Sequence, residues 1–380
     1  MRNIVIGLII GTVIGIVVGA TVIAPRLQRT TPGTAATTPA SPPPPAELAK
    51  QLPRVLVPRP DVSMKMASAF PPDTPVAGDL ARRIDARIWE ISRGQFEIRS
   101  FPPGALVPPA DIYDAVAVGS IDAAFAPAQA GAAKAPALAL FGGTPFGPDA
   151  EEFLAWLEFG GGGPLFAEIN QQQGVHALVC GLLPPSAFGW FRRELQSPQD
   201  LRGINVNASG LPGQVLARLG AEVVDLASGE LMLAIEQGAV DGVVWASPLL
   251  DEPMGFGAWL KNYYPQGWSQ SLTLLSLMIN QKKWQSLNTM QRTQVETLCG
   301  DNVRQSIAEG EAGQFRALQK IYSGGVRLQR LPPAIRDALE RAWQQVAQQM
   351  SSDDAQFRQV WQSLGAFRGE FAVWRELSRP

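Results

Sequence analysis

The chain has 380 residues, 46% of them hydrophobic, which is enough to bury a large core in two domains behind a non-globular leader. A formal charge of −2 gives no electrostatic footprint for nucleic acid, and the lone histidine, His176, excludes a multi-histidine metal site and leaves little for a nucleophile–base pair. The two cysteines, Cys180 and Cys299, match no metal spacing and read as buried small hydrophobes, with a disulfide as the alternative.

Residues 4–24 carry no charge, and a helix of that run is about 30 Å long, enough to cross the hydrocarbon core of a bilayer. The run exceeds the apolar stretch of a cleaved signal, and cutting after Ala24 would leave Pro25 first. An uncleaved signal-anchor over residues 1–29 is therefore favoured over a cleaved signal. Residues 30–61 are rich in Pro, Thr and Ala, with few large apolar groups to pack, and read as a semi-extended tether. The folded part is expected from about Val62.

Residues 63–69 read as a strand. A helix follows in which Leu80, Ile84, Ile88 and Ile91 share a face, and Gly94 ends it. Residues 95–101 form a second strand, 112–118 a short helix and 123–127 a third strand, giving βαβαβ. Helical stretches around 153–157 and 165–169 flank the glycine run 160–163. That run could suggest an oxyanion loop, but no G-x-S-x-G occurs in the chain, so it reads as a helix break. Strands follow at 174–182 and 188–191, and His176 is placed near a strand end with no chemical role.

The stretch 201–248 is the densest in signals. Residues 204–207 read as a strand, the glycine-containing turn 208–213 opens a helix on Val215, Leu216 and Leu219, and Gly220 stops it. Strand 222–226, a helix from an Ser228 cap through Leu231, Ala234 and Ile235 to Gly238, and strand 240–245 complete two crossovers. That spacing implies parallel pairing in an α/β sheet. Ligands of such sheets sit beyond the carboxyl ends of the strands, which makes Asn207 and Trp245 pocket candidates. Downstream come a strong apolar strand at 272–280 and then helices at 290–308 (continuing with gaps toward Tyr322), 332–349, 354–364 and 369–377.

In order along the chain, SMKMASAFPPDTP, DIYDAVAVGSIDAAFA, TPFGPDAEEFLAWLEFGGGG, SPQDLRGINV, GELMLAIEQGAVDG and YYPQGW carry a resemblance. From residue 63 onward the sequence resembles the DctP-type solute-binding proteins of TRAP (tripartite ATP-independent periplasmic) transporters, and is most similar to the branch that binds 2-oxo and related monocarboxylates. The resemblance implies a two-domain, Venus-flytrap α/β receptor outside the cytoplasmic membrane that hands a small organic solute to membrane permease subunits. It also implies discontinuous domains, 62–184 with 273–312 and 185–272 with 313–380, joined by crossovers and a long shared helix.

The departures from the family bear on the ligand. The family's arginine for the substrate carboxylate falls at Asn207. The glutamine and the glutamate of a cation site fall at Ser186 and Val244, and only the tryptophan, Trp245, is kept. An aromatic in the first loop is Phe70, while PAQAG at 127–131 replaces the usual aromatic cluster. Asparagine offers neither the charge nor the bidentate fork of arginine.

The ligand-binding residues expected are thus Phe70, Ser186, Asn207, Trp245 and Trp268, with no catalytic residue, metal ligand or cofactor. A membrane-tethered, non-transport scaffold or sensor with a degenerate pocket is the alternative. An enzyme finds no support, for no nucleophile motif, metal-ligand cluster or phosphate loop occurs. Tyr263 and Tyr264 read as packing, Asp251 and Glu252 as surface carboxylates, and Arg82, Arg83, Arg192 and Arg193 as solvated.

Overall fold

The computed structural model describes residues 60–378. The expected signal-anchor and tether lie outside the described residues. Among the described residues no helix is long and apolar enough to cross a membrane.

The chain opens with β1 (Val62–Ser68), α1 (Ala77–Ile91) and β2 (Phe96–Phe101). Helix α1 buries Leu80, Ala81, Ile84 and Ile88 against the sheet, as its spacing requires, while Ile91 at its end stays 44% exposed. Then come α2 (Ile112–Val118), β3 (Ala123–Pro127), α3 (Leu138–Gly142), α4 (Ala150–Phe159), α5 (Gly162–Gln172) and β4 (Val175–Leu183). The glycine run is a helix break, with Gly161 at φ 91° between α4 and α5.

The chain then enters a second sheet. It runs through β5 (Gly189–Phe191), β6 (Asn205–Asn207), α6 (Gly210–Arg218), β7 (Glu222–Val224), α7 (Ser228–Glu236), β8 (Gly242–Val243), α8 (Pro248–Asp251) and β9 (Asn262–Tyr264). It returns to the first sheet with β10 (Thr273–Asn280) and α9 (Gln281–Ser286). The last elements are α10 (Thr289–Ser323), β11 (Arg327–Leu328), α11 (Pro333–Asp353) and α12 (Ala355–Ser378).

The first sheet has the order β2-β1-β3-β10-β4, and the second β11-β9-β5-β8-β6-β7. Strands β1, β2 and β3 run parallel, and β10 is inserted antiparallel between β3 and β4. In the second sheet β6 pairs parallel with both β7 and β8, the arrangement expected of the two crossovers. The core falls into three clusters: one on each sheet's outer side, around α1 and α10 for the first sheet and around α7 for the second, and a large one that holds residues of both sheets.

Several expectations are corrected. Cys180 and Cys299 form a disulfide that fastens β4 to α10. Both are buried, but as a bridge between elements that spacing in sequence could not bring together. The gapped helices expected at 290–322 are one helix of 35 residues, about 52 Å long at 1.5 Å per residue. Two of its glycines mark close approach rather than interruption. A Cβ at Gly310 would stand 3.1 Å from Pro184, and one at Gly313 2.7 Å from Leu249. The two helices expected at 354–377 are likewise one, α12. It packs most extensively on α11 and also against α3, α4 and α5, with Trp156 Nε1 donating to Ser363 Oγ at 3.1 Å. Ser228 is the first residue of α7 rather than its cap, and the strand expected at 240–245 pairs only at Gly242–Val243, leaving Trp245 beyond it. Arg83 is not a solvated cation, for it pairs with Asp301 and donates to Asn302 Oδ1, tying α1 to α10.

Candidate functional site

Parallel β6 and β8 end at the same edge of the second sheet. Because β5 runs antiparallel to both β8 and β9, its beginning and the end of β9 also lie there. Ser186, Asn207, Trp245 and residues 266–268 therefore share one edge. Backbone hydrogen bonds sew it together: Val244 N to Asn207 O at 2.9 Å, Ala187 N to Ala246 O at 2.8 Å, and Phe188 N to Tyr264 O at 2.9 Å. In the first sheet the ends of β1 and β3 lie together, bringing Phe70 to 6.1 Å from Phe125.

Asn207 is 3% exposed, and its side-chain oxygen accepts from Leu226 N at 2.8 Å. That bond holds the loop after β7. Ser186 sits in the crossover from β4 to β5, where its N donates to Gln270 O at 2.9 Å and its Oγ to Gln270 Oε1 at 3.2 Å. Gln270 is in the return crossover from β9 to β10, so the pair clasps two of the three connections between the sheets. Trp245 is half-buried, edge-on to Phe256 at 5.9 Å.

Phe70, on the first sheet, stands apart from those three, whereas Trp268 lies on their edge beside Gly267, which packs on Ser186 O. Phe70 is fixed by reciprocal bonds with Ser68 Oγ and lines a cavity of about 260 Å³ beside α1 with Pro72, Arg82 and Asp85. Trp268 packs on Phe146 at 5.8 Å and Phe188 at 6.1 Å. It lines a cavity of about 400 Å³ with Gln266, Ser271, Arg336 and Asp337. The two cavities share no residue.

Sequence reasoning missed a seam between residues 142–146 of the first sheet and 266–270 of the second. Phe146 N donates to Trp268 O at 2.7 Å, Gly142 packs on the side chain of Gln129, and Gly143 packs on that of Gln270. Three buried polar atoms around this seam have no partner: Gln129 Oε1, Trp268 Nε1 and Ser269 Oγ. A lone glutamine in an alanine-rich turn gives no sequence signal. Such atoms cost about 1–3 kcal/mol each when left unsatisfied.

Asp251 is a second omission. It is fully buried rather than at the surface, and its carboxylate accepts from Trp190 Nε1 at 3.0 Å, Tyr263 OH at 3.1 Å and Ala246 N at 2.9 Å. Burial pushes its carboxyl up to about 7 against the opposing pull of those three donors. Burial, together with the Asp251 carboxylate, likewise raises the Tyr263 hydroxyl. Tyr263 and Tyr264 are both buried, as expected of packing residues.

The residues present do not fit the cation site that the resemblance implies. The Val244 side chain carries no metal-binding atom, and Ser186 Oγ is bonded to Gln270. Among the described residues no three of His, Cys, Asp and Glu gather closely enough to hold a metal ion.

Residues 66–354 match the family described as bacterial extracellular solute-binding protein, family 7 (DctP). A monocarboxylate 2-oxoacid-binding periplasmic protein of Nostoc sp. is 30% identical over 298 residues, 78% of this chain and 82% of that one. A TRAP transporter solute-binding protein of Bordetella bronchiseptica, solved with copurified calcium and picolinate, aligns with a TM-score of 0.80 and 30% identity over 84% of this chain and 95% of that one. One from Pseudoalteromonas atlantica with bound sodium and pyruvate aligns at 0.78 and 27% identity over 83% and 97%. The two-sheet architecture, the strand-end site and these relatives agree: the chain belongs to the DctP family, the extracytoplasmic solute-binding receptors of TRAP transporters, which bind small organic solutes and work with membrane permease subunits.

Proposed function

We propose that this receptor takes a neutral or weakly polar organic solute between its two lobes, rather than a 2-oxo acid held with a metal ion. The observation that carries the reading is Asn207. At the end of β6, where the resemblance implies an arginine, stands a neutral side chain, 3% exposed, whose oxygen is committed to Leu226 N. Val244 supplies no ligand for a cation. A carboxylate entering such a site loses hydration without a charged partner, which costs a few kcal/mol, or about two orders of magnitude or more in affinity.

The unpartnered buried groups on the seam are neutral as well. Gln129 Oε1 is an acceptor without a donor, and Trp268 Nε1 is a donor without an acceptor. A solute with one hydrogen-bond donor, one acceptor and an apolar body that can lie against Trp245 or Phe70 satisfies them. The ligand set proposed is Phe70, Ser186, Asn207, Trp245 and Trp268, extended by Gln129. The uncharged run at residues 4–24 and the Pro-rich segment after it support a receptor held at the outer face of the cytoplasmic membrane by its own N-terminus.

Calorimetry with pyruvate and other 2-oxo acids, with and without sodium or calcium, beside a panel of neutral solutes, tests the reading. Binding is expected among the neutral solutes, with loss in Trp245→Ala. Micromolar, cation-dependent binding of a 2-oxo acid would overturn it, and silence across the panel is the result expected of the degenerate-pocket alternative.

A further inference from the structure

We infer that Gln314, in the middle of α10, is a positioning residue that couples the Trp245 wall of the cleft to the hinge between the lobes. The inference rests on the reading above only in taking Trp245 to face the solute.

Helix α10 is anchored to the first lobe along its N-terminal half. Cys299 is bonded to Cys180 on β4, Asn302 Nδ2 donates to Leu80 O at 3.4 Å, and Ser306 Oγ accepts from Leu182 N at 2.9 Å. One turn further on it meets the hinge, where the missing side chain at Gly310 makes room for Pro184. At its next turn it meets the loop that carries Trp245. Gln314 Oε1 accepts from Leu249 N at 3.1 Å, one of the first-turn amides of α8 that no helical carbonyl can serve. Gln314 Nε2 donates to Gly310 O at 2.7 Å and reaches Ser247 Oγ at 3.4 Å.

The loop is held equally tightly from its other side. Asp251 Oδ1 accepts from Ala246 N, and Ala246 O accepts from Ala187 N, the neighbour of hinge residue Ser186. Trp245 thus stands on a short segment with three attachments: to buried Asp251, to the hinge strand at Ala187, and through Ser247 and Leu249 to Gln314. The exposed pair Lys320–Glu252 at 3.3 Å also links α10 to this region, but a solvated ion pair contributes little. A helix fixed to the first lobe therefore grips the ligand loop of the second within one turn of the hinge, and a change in lobe angle must carry the loop with it or break these bonds.

The test uses the full chain with spin labels at Gln171→Cys on α5 and Arg218→Cys on α6, both exposed, to read the distance between lobes. Gln314→Leu keeps the bulk and removes all three side-chain bonds. It should shift or broaden the distance distribution in the unliganded protein, and speed hydrogen exchange at the Leu249 amide about tenfold, as expected for one lost hydrogen bond. Gln314→Glu keeps the acceptor for Leu249 and should restore most of both. Faster exchange at Leu249 with an unchanged distance distribution would mean a purely local contact and would overturn the coupling. Should Gln314→Leu fail to fold, Gly313→Ala presses on Leu249 from the same turn and is read in the same way. Calorimetry of Trp245→Ala against the solute panel reports on the ligand reading alone, so its failure is separable from that of the coupling.

Discussion

Replacing both Cys180 and Cys299 by alanine probes how the chain's crossovers are restrained. The bridge spans 119 residues of sequence, and that interval holds the first two of the three connections between the sheets as well as β5 to β10. On the chain-entropy account, closing a loop of that length removes about 5 kcal/mol of freedom from the unfolded chain. Both cysteines are buried, at 0% and 2% exposure, in the cluster formed by Leu80, Leu275 and Leu298, so the variant also leaves two small voids. We expect a loss of about 3–6 kcal/mol and a fall in melting temperature on the order of 10 °C, with the denaturant slope increased because the unfolded chain expands. Urea and thermal unfolding followed by tryptophan fluorescence measure both quantities, and mass analysis of alkylated protein confirms that the parent has no free thiol. A fall of only a degree or two would refute the reasoning, since it would mean that the unfolded chain keeps these segments together without the bridge. The bridge also fits an extracytoplasmic receptor, because such bonds persist in oxidising compartments.

The folded state raises the Asp251 carboxyl from its ordinary 3.8 to about 7, so it binds that proton more tightly than the unfolded chain does. This contribution is full below about pH 3.8 and is lost as pH rises through about 7, and Asp251→Asn should remove that slope from unfolding measured across the range. His176, stacked on Trp284 at 3.9 Å, is held at about 4 instead of 6.5 by burial and by the Arg292 charge. Its contribution is present above pH 6.5 and is lost as pH falls through about 4. The two slopes oppose one another between these limits. His176→Phe should expose the Asp251 slope and Asp251→Asn the His176 slope, whereas variants that track the parent at every pH would show that neither group is linked to folding. Intact-mass analysis of the membrane fraction should recover a chain that still carries residues 4–24, and a soluble mature chain beginning at or after Ala24 would refute the anchor.

Periodicity located the five strands of the first sheet and β5 to β8 of the second, because strands buried on both faces and amphipathic crossover helices leave strong patterns, but it missed the short β9 and β11. Strand β10 is almost wholly buried, and α1 sets four apolar residues on one face. Where the reading failed, tertiary contact had overridden local propensity. Gly310 and Gly313 look like helix breakers in isolation, yet α10 continues through them because Pro184 and Leu249 need the space. Strand β8 ends at Val243 because β5 and β6, its partners on either side, offer paired positions only at Gly242 and Val243.

The positions of the proposed ligand residues were easier to read than their roles. Topology brings Asn207, Trp245 and Ser186 to one end of the second sheet. The sequence pointed to the first two by strand-end logic and to Ser186 by the family resemblance. It could not show what each side chain does there. The oxygen of Asn207 serves the loop after β7, and the hydroxyl of Ser186 serves the opposite crossover, so each is partly spent on the scaffold before a solute arrives. Gln129, Gln270, Asp251 and Gln314 lie far apart in sequence, and the partners of the last three include distant backbone and side-chain groups that no motif records. A glutamine or aspartate is informative only once burial is known: exposed it is bland, whereas buried it must be satisfied or stands out as unsatisfied. If the solute is neutral, as proposed, its polar partners are buried groups of this kind rather than a charged fork at the strand end.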